Sequence, residues 1–164
     1  MIVFDSSTLI LLAKIELLGK IAEQAQILIT EEVKKESTRK ESLDAKLITS
    51  LIENGRIRIE KVNYGRDKEK LQKDFNIGEG EASTLLLARK RHYALATDDG
   101  PTIKVCKIMG IKFITVVHFL IKAYESGILN KELSLAKLEK LRQFGRYSFS
   151  IIKDATKRIS REDK

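Results

Sequence analysis

The sequence has few of the residues that staple, ligate or stiffen a chain. One cysteine, Cys106, occurs among 164 residues. That excludes an intramolecular disulfide and a multi-cysteine zinc site. The two histidines, His92 and His118, are far apart and form no metal-ligand spacing, so a zinc enzyme is not expected. There is no tryptophan and a single proline, Pro101, which excludes a Pro-rich linker or stalk. The longest apolar stretches, Leu9–Ala13 and Ile114–Val117, fall far short of the roughly 18 residues that span a bilayer. The opening MIVFDSSTLI carries neither a basic leader nor a cleavage signature. These absences predict a soluble, cytoplasmic chain with no membrane partner.

What is abundant is charge. Lys and Arg number 31 against 23 Asp and Glu, a formal net charge of +8, and charged residues make up 33% of the chain. With 43% hydrophobic residues, one domain spanning residues 1–164 can bury a core without disulfides. A domain this basic suits a polyanion such as nucleic acid, although a Lys- and Glu-rich solvated surface has the same composition. Residues 131–164 hold ten Lys and Arg against five Asp and Glu, so more than half of the excess sits there.

Hydrophobic periodicity predicts five short buried strands, at Ile2–Asp5, Ile27–Ile29, Ile57–Val62, Tyr93–Thr97 and Lys112–Val116. Helical patterns lie between them. Ser7–Ala25 reads as two helices parted near Gly19. Thr30–Lys40 opens on a threonine N-cap. Ser42–Glu53 presents Leu43, Leu47, Ile48, Leu51 and Ile52 on one face and stops at Asn54-Gly55. Arg66–Phe75, Glu79–Arg91 and Pro101–Met109 follow. The alternation predicts a parallel sheet covered on both faces, a doubly wound α/β/α sandwich over residues 1–129. Residues 130–164 read as an appended helical hairpin. Its first helix, Asn130–Phe144, carries Leu133, Leu135, Leu138 and Leu141. Its second, Ser148–Ser160, carries Phe149, Ile152, Ala155 and Ile159.

The acids fall at informative places. Asp5 ends the first strand and Asp98-Asp99 end the fourth. In a doubly wound sheet, ligands bind beyond the carboxyl ends of the strands, where strand order reverses. Glu79 and Glu81 open the helix before the fourth strand, and Glu36 lies in the helix after the second. Carboxylates brought together raise one another's pKa. A hard divalent cation, Mg²⁺ or Mn²⁺, relieves that cost and suits all-oxygen ligation. Such an ion polarises a phosphoryl oxygen and acidifies an attacking water. An acidic cleft in a basic surround therefore points to phosphodiester hydrolysis.

At these residues the sequence resembles the PIN-domain superfamily, whose best-known members are ribonuclease toxins. Val3-Phe4-Asp5-Ser6-Ser7 is similar to its opening strand with an Asp-x-Ser/Thr signature. Glu31–Glu36 resembles the second motif, with Glu36 as its acid. Gly78-Glu79-Gly80-Glu81-Ala82 resembles a GEGEA form of the third, and Leu95-Ala96-Thr97-Asp98-Asp99 the fourth. The hairpin is similar to that of one prokaryotic and archaeal branch. The resemblance implies strand order 3-2-1-4-5, a homodimer, RNA cleavage with Mg²⁺ or Mn²⁺ and, for a toxin, an antitoxin partner. It implies an acidic cluster of Asp5, Glu36, Glu81 and Asp99, with Asp98 as the alternative to Asp99 because the two are adjacent. Metal would rest on Asp5, Glu81 and Asp99 or Asp98, with Ser7 or Thr97 orienting a ligand. One departure is that Ile111–Leu120 holds no acid, where many members carry another.

Each residue also has a plainer reading. Asp5 suits an N-cap. Glu79 and Glu81 suit the positive end of a helix dipole, Glu79 the more so. Glu36 suits an exposed helix face, and Asp98-Asp99-Gly100-Pro101 a turn before a helix. His118 suits a core or an interface, and Arg146 and Tyr147 suit packing of the hairpin rather than RNA stacking. A non-catalytic RNA-binding or assembly module on the same fold is the alternative function. No Asp-x-Asp follows the first strand and no G-x-G-x-x-G is present, which disfavours a haloacid-dehalogenase-type phosphatase and a dinucleotide enzyme.

Overall fold

A computed structural model describes residues 1–161; the last three residues of the expected hairpin segment, 162–164, lie outside the described residues. Five strands form one sheet: β1 (Ile2–Phe4), β2 (Ile27–Thr30), β3 (Ile57–Glu60), β4 (Ala94–Ala96) and β5 (Phe113–Ile114). Their order is β3-β2-β1-β4-β5, with every pair parallel. This is the order implied by the resemblance. Side chains alternate across the sheet as strand geometry requires. Val3, Leu28 and Leu95 join one buried cluster, while Phe4, Ile27, Ile29 and Ala96 join the other.

Helices cover both faces. α1 (Ser6–Lys14), α2 (Leu18–Gln24), α3 (Glu31–Thr38) and α4 (Leu43–Glu53) contribute to the Phe4 cluster. α5 (Arg66–Phe75), α6 (Glu79–Arg91) and α7 (Gly100–Met109) build the Val3 cluster. A further helix, α8 (Val116–Glu125), follows β5, and α9 (Lys131–Phe144) and α10 (Phe149–Ser160) complete the chain. Leu138, Leu141, Ala155 and Ile159 are buried in the same cluster as Phe4. The hairpin is thus fused into one face of the core rather than set apart from it. No helix among the described residues is long and apolar enough to cross a membrane.

Several boundaries differ from the sequence expectation. Four strands are shorter, β1 stopping before Asp5, β3 before Val62, β4 before Thr97 and β5 keeping only two residues, while β2 runs one residue further, to Thr30. Residues assigned to the last strand and left unassigned after it form α8, which starts where the Thr115 side chain caps His118 N–H at 3.3 Å. His118 itself is exposed on that helix. Leu43, Leu133 and Phe149 are exposed at 86%, 50% and 82%; each lies in the first turn of its helix, beyond the edge of the surface that helix covers.

The first two helices break at Ile15–Leu17, not near Gly19, which lies inside α2. Glu16 takes a left-handed backbone, φ 57°. The last turn of α1 closes on its own backbone, Leu11, Leu12 and Ala13 carbonyls accepting from Ile15, Leu17 and Glu16 N–H. The Lys137 ammonium of α9 takes the next two carbonyls, donating to Ile15 O at 2.8 Å and Glu16 O at 3.2 Å. Lys137 is only 8% exposed, and burial pushes its pKa below the ordinary lysine value. A cation just past a helix C-terminus is favourable, and this contact ties the hairpin to the core. Lys137→Ala removes both donors and is expected to destabilise the fold by about 1–3 kcal/mol. Urea unfolding of the variant against the wild type measures the difference.

Candidate active site

Sheet register alone carries the acids toward one another. Phe4 pairs with Ala96, and Asp5 N–H donates to Ala96 O at 3.1 Å. Asp5 therefore leaves β1 as the chain turns from β4 into Thr97, Asp98 and Asp99. On the other side of β1, β2 ends at Thr30, the N-cap of the helix that carries Glu36. α6 packs over β1, β2 and β4, so its first turn brings in Glu81.

Four helix N-termini converge on this edge. Asp5 caps α1, its Oδ1 accepting from Thr8 N–H at 2.8 Å and from the Ser7 hydroxyl at 3.1 Å. Asp99 caps α7, its Oδ2 accepting from Thr102 N–H at 2.9 Å and the Thr102 hydroxyl at 2.6 Å. Asp98 Oδ2 accepts from Val116 N–H, the first residue of α8, at 2.9 Å. Glu81 stands in the first turn of α6. The positive ends of these dipoles favour carboxylates, which offsets part of their mutual repulsion.

Capping and a functional role are not exclusive here, because a carboxylate has two oxygens. Asp5 is buried, and its Oδ2 has no hydrogen-bond partner. Burial raises its pKa beyond what its hydrogen bonds offset. Glu81 is raised too, first by burial and then by the charges of Glu36, Asp5 and Asp99. Asp98 is pushed up to about 6, by burial and then by the Asp5 charge. These couplings set Asp5, Glu36, Glu81 and Asp99 in one electrostatic neighbourhood, with Asp98 on the Asp5 side. The Ser7 hydroxyl bonds Asp5. The Thr97 hydroxyl also stands near Asp5 and offsets part of the rise in its pKa, while accepting from Asp99 N–H at 3.2 Å to close the turn between the strand and α7.

Glu79 is separate. It pairs with Lys68 of α5 at 2.7 Å, and Lys68 also meets Glu32 at 2.9 Å. Glu79 thus has an ion-pair partner on α5 besides the helix end that suits it, and Glu81 is the acid of the motif that faces the cluster.

Three features escaped the sequence reading. Ser6, not Ser7, anchors Glu36, donating to Oε2 at 2.7 Å. Gly80 lies so close to Glu36 that a Cβ there would come within 2.6 and 2.7 Å of its two carboxylate oxygens; a Cβ on Gly78 would meet the Glu81 carboxylate. The glycines of the third motif thus give the glutamates room. Ser83 fixes the seating of α6 on α3, bonding Thr30 Oγ1 at 2.8 Å in the interior and donating to Gly80 O at 2.8 Å. The signal for the glycines was present as Gly78-x-Gly80 inside a helix start, where glycine weakens a helix and so needs a packing reason.

As the side chains stand, no three acidic, histidine or cysteine groups among the described residues enclose a metal position. The donor chemistry nonetheless fits a hard divalent cation. Every candidate ligand is an oxygen, and Asp5 Oδ2 is a buried carboxylate oxygen with nothing to offset it. Asp5, Glu81 and Asp99, with Asp98 beside them, are the residues that would hold it.

Two outcomes follow for the metal-free protein. Folded Asp98 keeps its proton to about pH 6, against an ordinary value of 3.8. The folded state therefore binds the extra proton, and the Asp98 contribution to stability falls as pH rises through that window. Asp98→Asn keeps the acceptor for Val116 N–H. It should raise the melting temperature by a few degrees at pH 7.5 and have little effect at pH 4. Gly80→Ala should leave the metal-free melting temperature unchanged or slightly higher, because alanine is the better helix former. By displacing Glu36 from Ser6, it should also shrink the thermal shift produced by Mn²⁺; both are read by scanning fluorimetry.

Among known proteins, a family model, DUF3368, described as a PIN domain, matches residues 1–161. No curated protein and no solved structure matches the chain. With the model spanning nearly the whole chain, the sheet in order 3-2-1-4-5 and the acids gathered at its carboxyl edge, this chain belongs to the PIN-domain family.

Proposed function

We propose that this chain is a ribonuclease that hydrolyses RNA phosphodiester bonds with Mg²⁺ or Mn²⁺ at the cluster of Asp5, Glu36, Glu81 and Asp99, flanked by Asp98. PIN domains are commonly nucleases. The observation that carries the reading is the buried Asp5 Oδ2, unpartnered among three other acids from three separate segments. An acid left in that state destabilises the fold unless a cation or a proton joins it. Its persistence beside Glu81 and Asp99 is the arrangement expected of a site built for an ion.

When bound, Mg²⁺ or Mn²⁺ would supply Lewis-acid polarisation of a phosphoryl oxygen and a lowered pKa for a coordinated water. The chain's own residues do the rest. Thr8, Ser7 and Thr102 lock the rotamers of Asp5 and Asp99. Glu36 is the exposed member, held by Ser6 at the solvent edge, and is placed to take a proton from entering water. The net charge of +8 supports phosphate binding around the cleft. A toxin role, an antitoxin partner, a homodimer and a cytoplasmic location extend the same reading.

The lack of a ready-made three-acid enclosure favours one alternative, a non-catalytic RNA-binding or assembly module on this fold. The two part on one assay. Wild-type protein in Mn²⁺ is expected to cleave single-stranded RNA, with cleavage abolished by chelator and lowered roughly 100-fold or more in Asp5→Asn. RNA retention without turnover in either metal would establish the module instead, and full activity in Asp5→Asn would reject the assigned site.

A further inference from the structure

A cavity of about 500 Å³ opens directly beside the acids, with Ser7, Asp98 and Asp99 in its lining. Its other walls are apolar: Ile10 and Leu11 of α1, Ile103 of α7, and Phe144 and Ile151 from the hairpin. The loop joining α9 to α10 closes it with Arg146 and Tyr147. Gly145 makes that closure possible, because the Tyr147 ring lies so close over it that a Cβ there would collide with the ring. The Tyr147 hydroxyl is thereby buried beside the Asp98 carboxylate, without a hydrogen bond of good geometry. Arg146 of the lining is exposed, and Lys14 Nζ lies 5.4 Å from the centre of the Phe144 ring.

The lining is unusual for a surface that meets only water. Phe144 and Ile151 are 51% and 45% exposed, an apolar cost that a solvated hairpin has no reason to carry. The parts match one chemical object. Apolar and aromatic walls receive a planar base by stacking and packing. The Tyr147 ring adds a second aromatic face to the wall. Arg146 places a positive charge beside that wall for a phosphate. The acids continue the floor toward the cluster described above. An apolar peptide segment would use the walls but has no need of the Arg146 cation beside them.

We propose that this cavity is the subsite that receives the base of the ribonucleotide flanking the cleaved phosphate, so that the C-terminal hairpin sets which RNA is cut. The word "cleaved" rests on the nuclease reading; base capture does not. The hairpin then has a role in specificity in addition to its share of the core.

The test uses binding, which needs no turnover. Fluorescent hexamers of uridylate, of adenylate and of an abasic ribose-phosphate backbone carry the same phosphates. Their affinities for the full chain are compared by anisotropy in EDTA at low salt. A base-bearing hexamer should bind about 10-fold more tightly than the abasic one, in line with one stacked base. Phe144→Ala with Ile151→Ala, both surface changes, should abolish that ratio and leave abasic binding intact. Tyr147→Phe keeps the ring and should leave the ratio of base-bearing to abasic affinity as in the wild type. Equal affinity for base-bearing and abasic hexamers, no binding of either, or an unchanged ratio in the double variant overturns the proposal. So does dissociation of a dimer by the double variant with the ratio unmoved, which would make the cavity a subunit contact. Should the wild type discriminate bases yet cut no RNA in Mn²⁺, the nuclease reading fails while the base subsite stands.

Discussion

Repulsion among carboxylates at the carboxyl edge of β1 and β4 is the constraint around which this molecule is organised. Parallel pairing leaves no choice: Phe4 beside Ala96 brings Asp5 next to the turn that carries Asp98 and Asp99. The fold moderates the cost with backbone rather than with counter-ions. α1, α6, α7 and α8 each point an N-terminus at the acids, and Thr8, Thr102 and Val116 donate N–H groups to them. One buried oxygen of Asp5 is left over. The structure thus meets the charge with helix ends and N–H donors and leaves one deep acceptor unused.

Positioning in the cluster depends on small residues as much as on acids. Gly80 and Gly78 remove the Cβ atoms that Glu36 and Glu81 would otherwise strike. Ser6 holds Glu36 from the opposite side, and the buried Ser83–Thr30 bond fixes the helix that bears one glutamate against the cap of the helix that bears the other. The electrostatics divides the acids by depth. Asp5 sits in the interior, Asp98 and Glu81 are half-buried, and Glu36 faces solvent.

The C-terminal hairpin serves the core and the site together. Leu138, Leu141, Ala155 and Ile159 fill the face that α1 and α8 line, and the buried Lys137 ammonium satisfies the Ile15 and Glu16 carbonyls between α1 and α2. Fixed in this way, the loop from Gly145 to Tyr147 reaches the acids at Asp98. A segment that reads as an addition in the sequence is therefore a wall of the site.

Local pattern was enough for much of this. Ile-Val-Phe before Asp5 and Ala-Leu-Ala before Thr97 have the length and composition of buried parallel strands. Thr30, Ser42 and Asn130 cap helices because short-range hydrogen bonds are decided within four residues. The acids at strand ends could be named for the same reason, and their order matched a family. What the chain could not disclose was everything resting on contact between distant segments. The partner of the Ile15 and Glu16 carbonyls is a lysine more than 120 residues away. The need for glycine at position 80 depends on the reach of Glu36, and the exposure of Leu133 and Phe149 on where their helices run off the core. Which of Glu79 and Glu81 turns inward depends on how α6 is seated by its buried residues, with Glu79 left at the surface to pair with Lys68. Periodicity and capping are written into neighbouring residues, whereas burial, ion pairing and the meeting of like charges exist only once packing has brought remote side chains together.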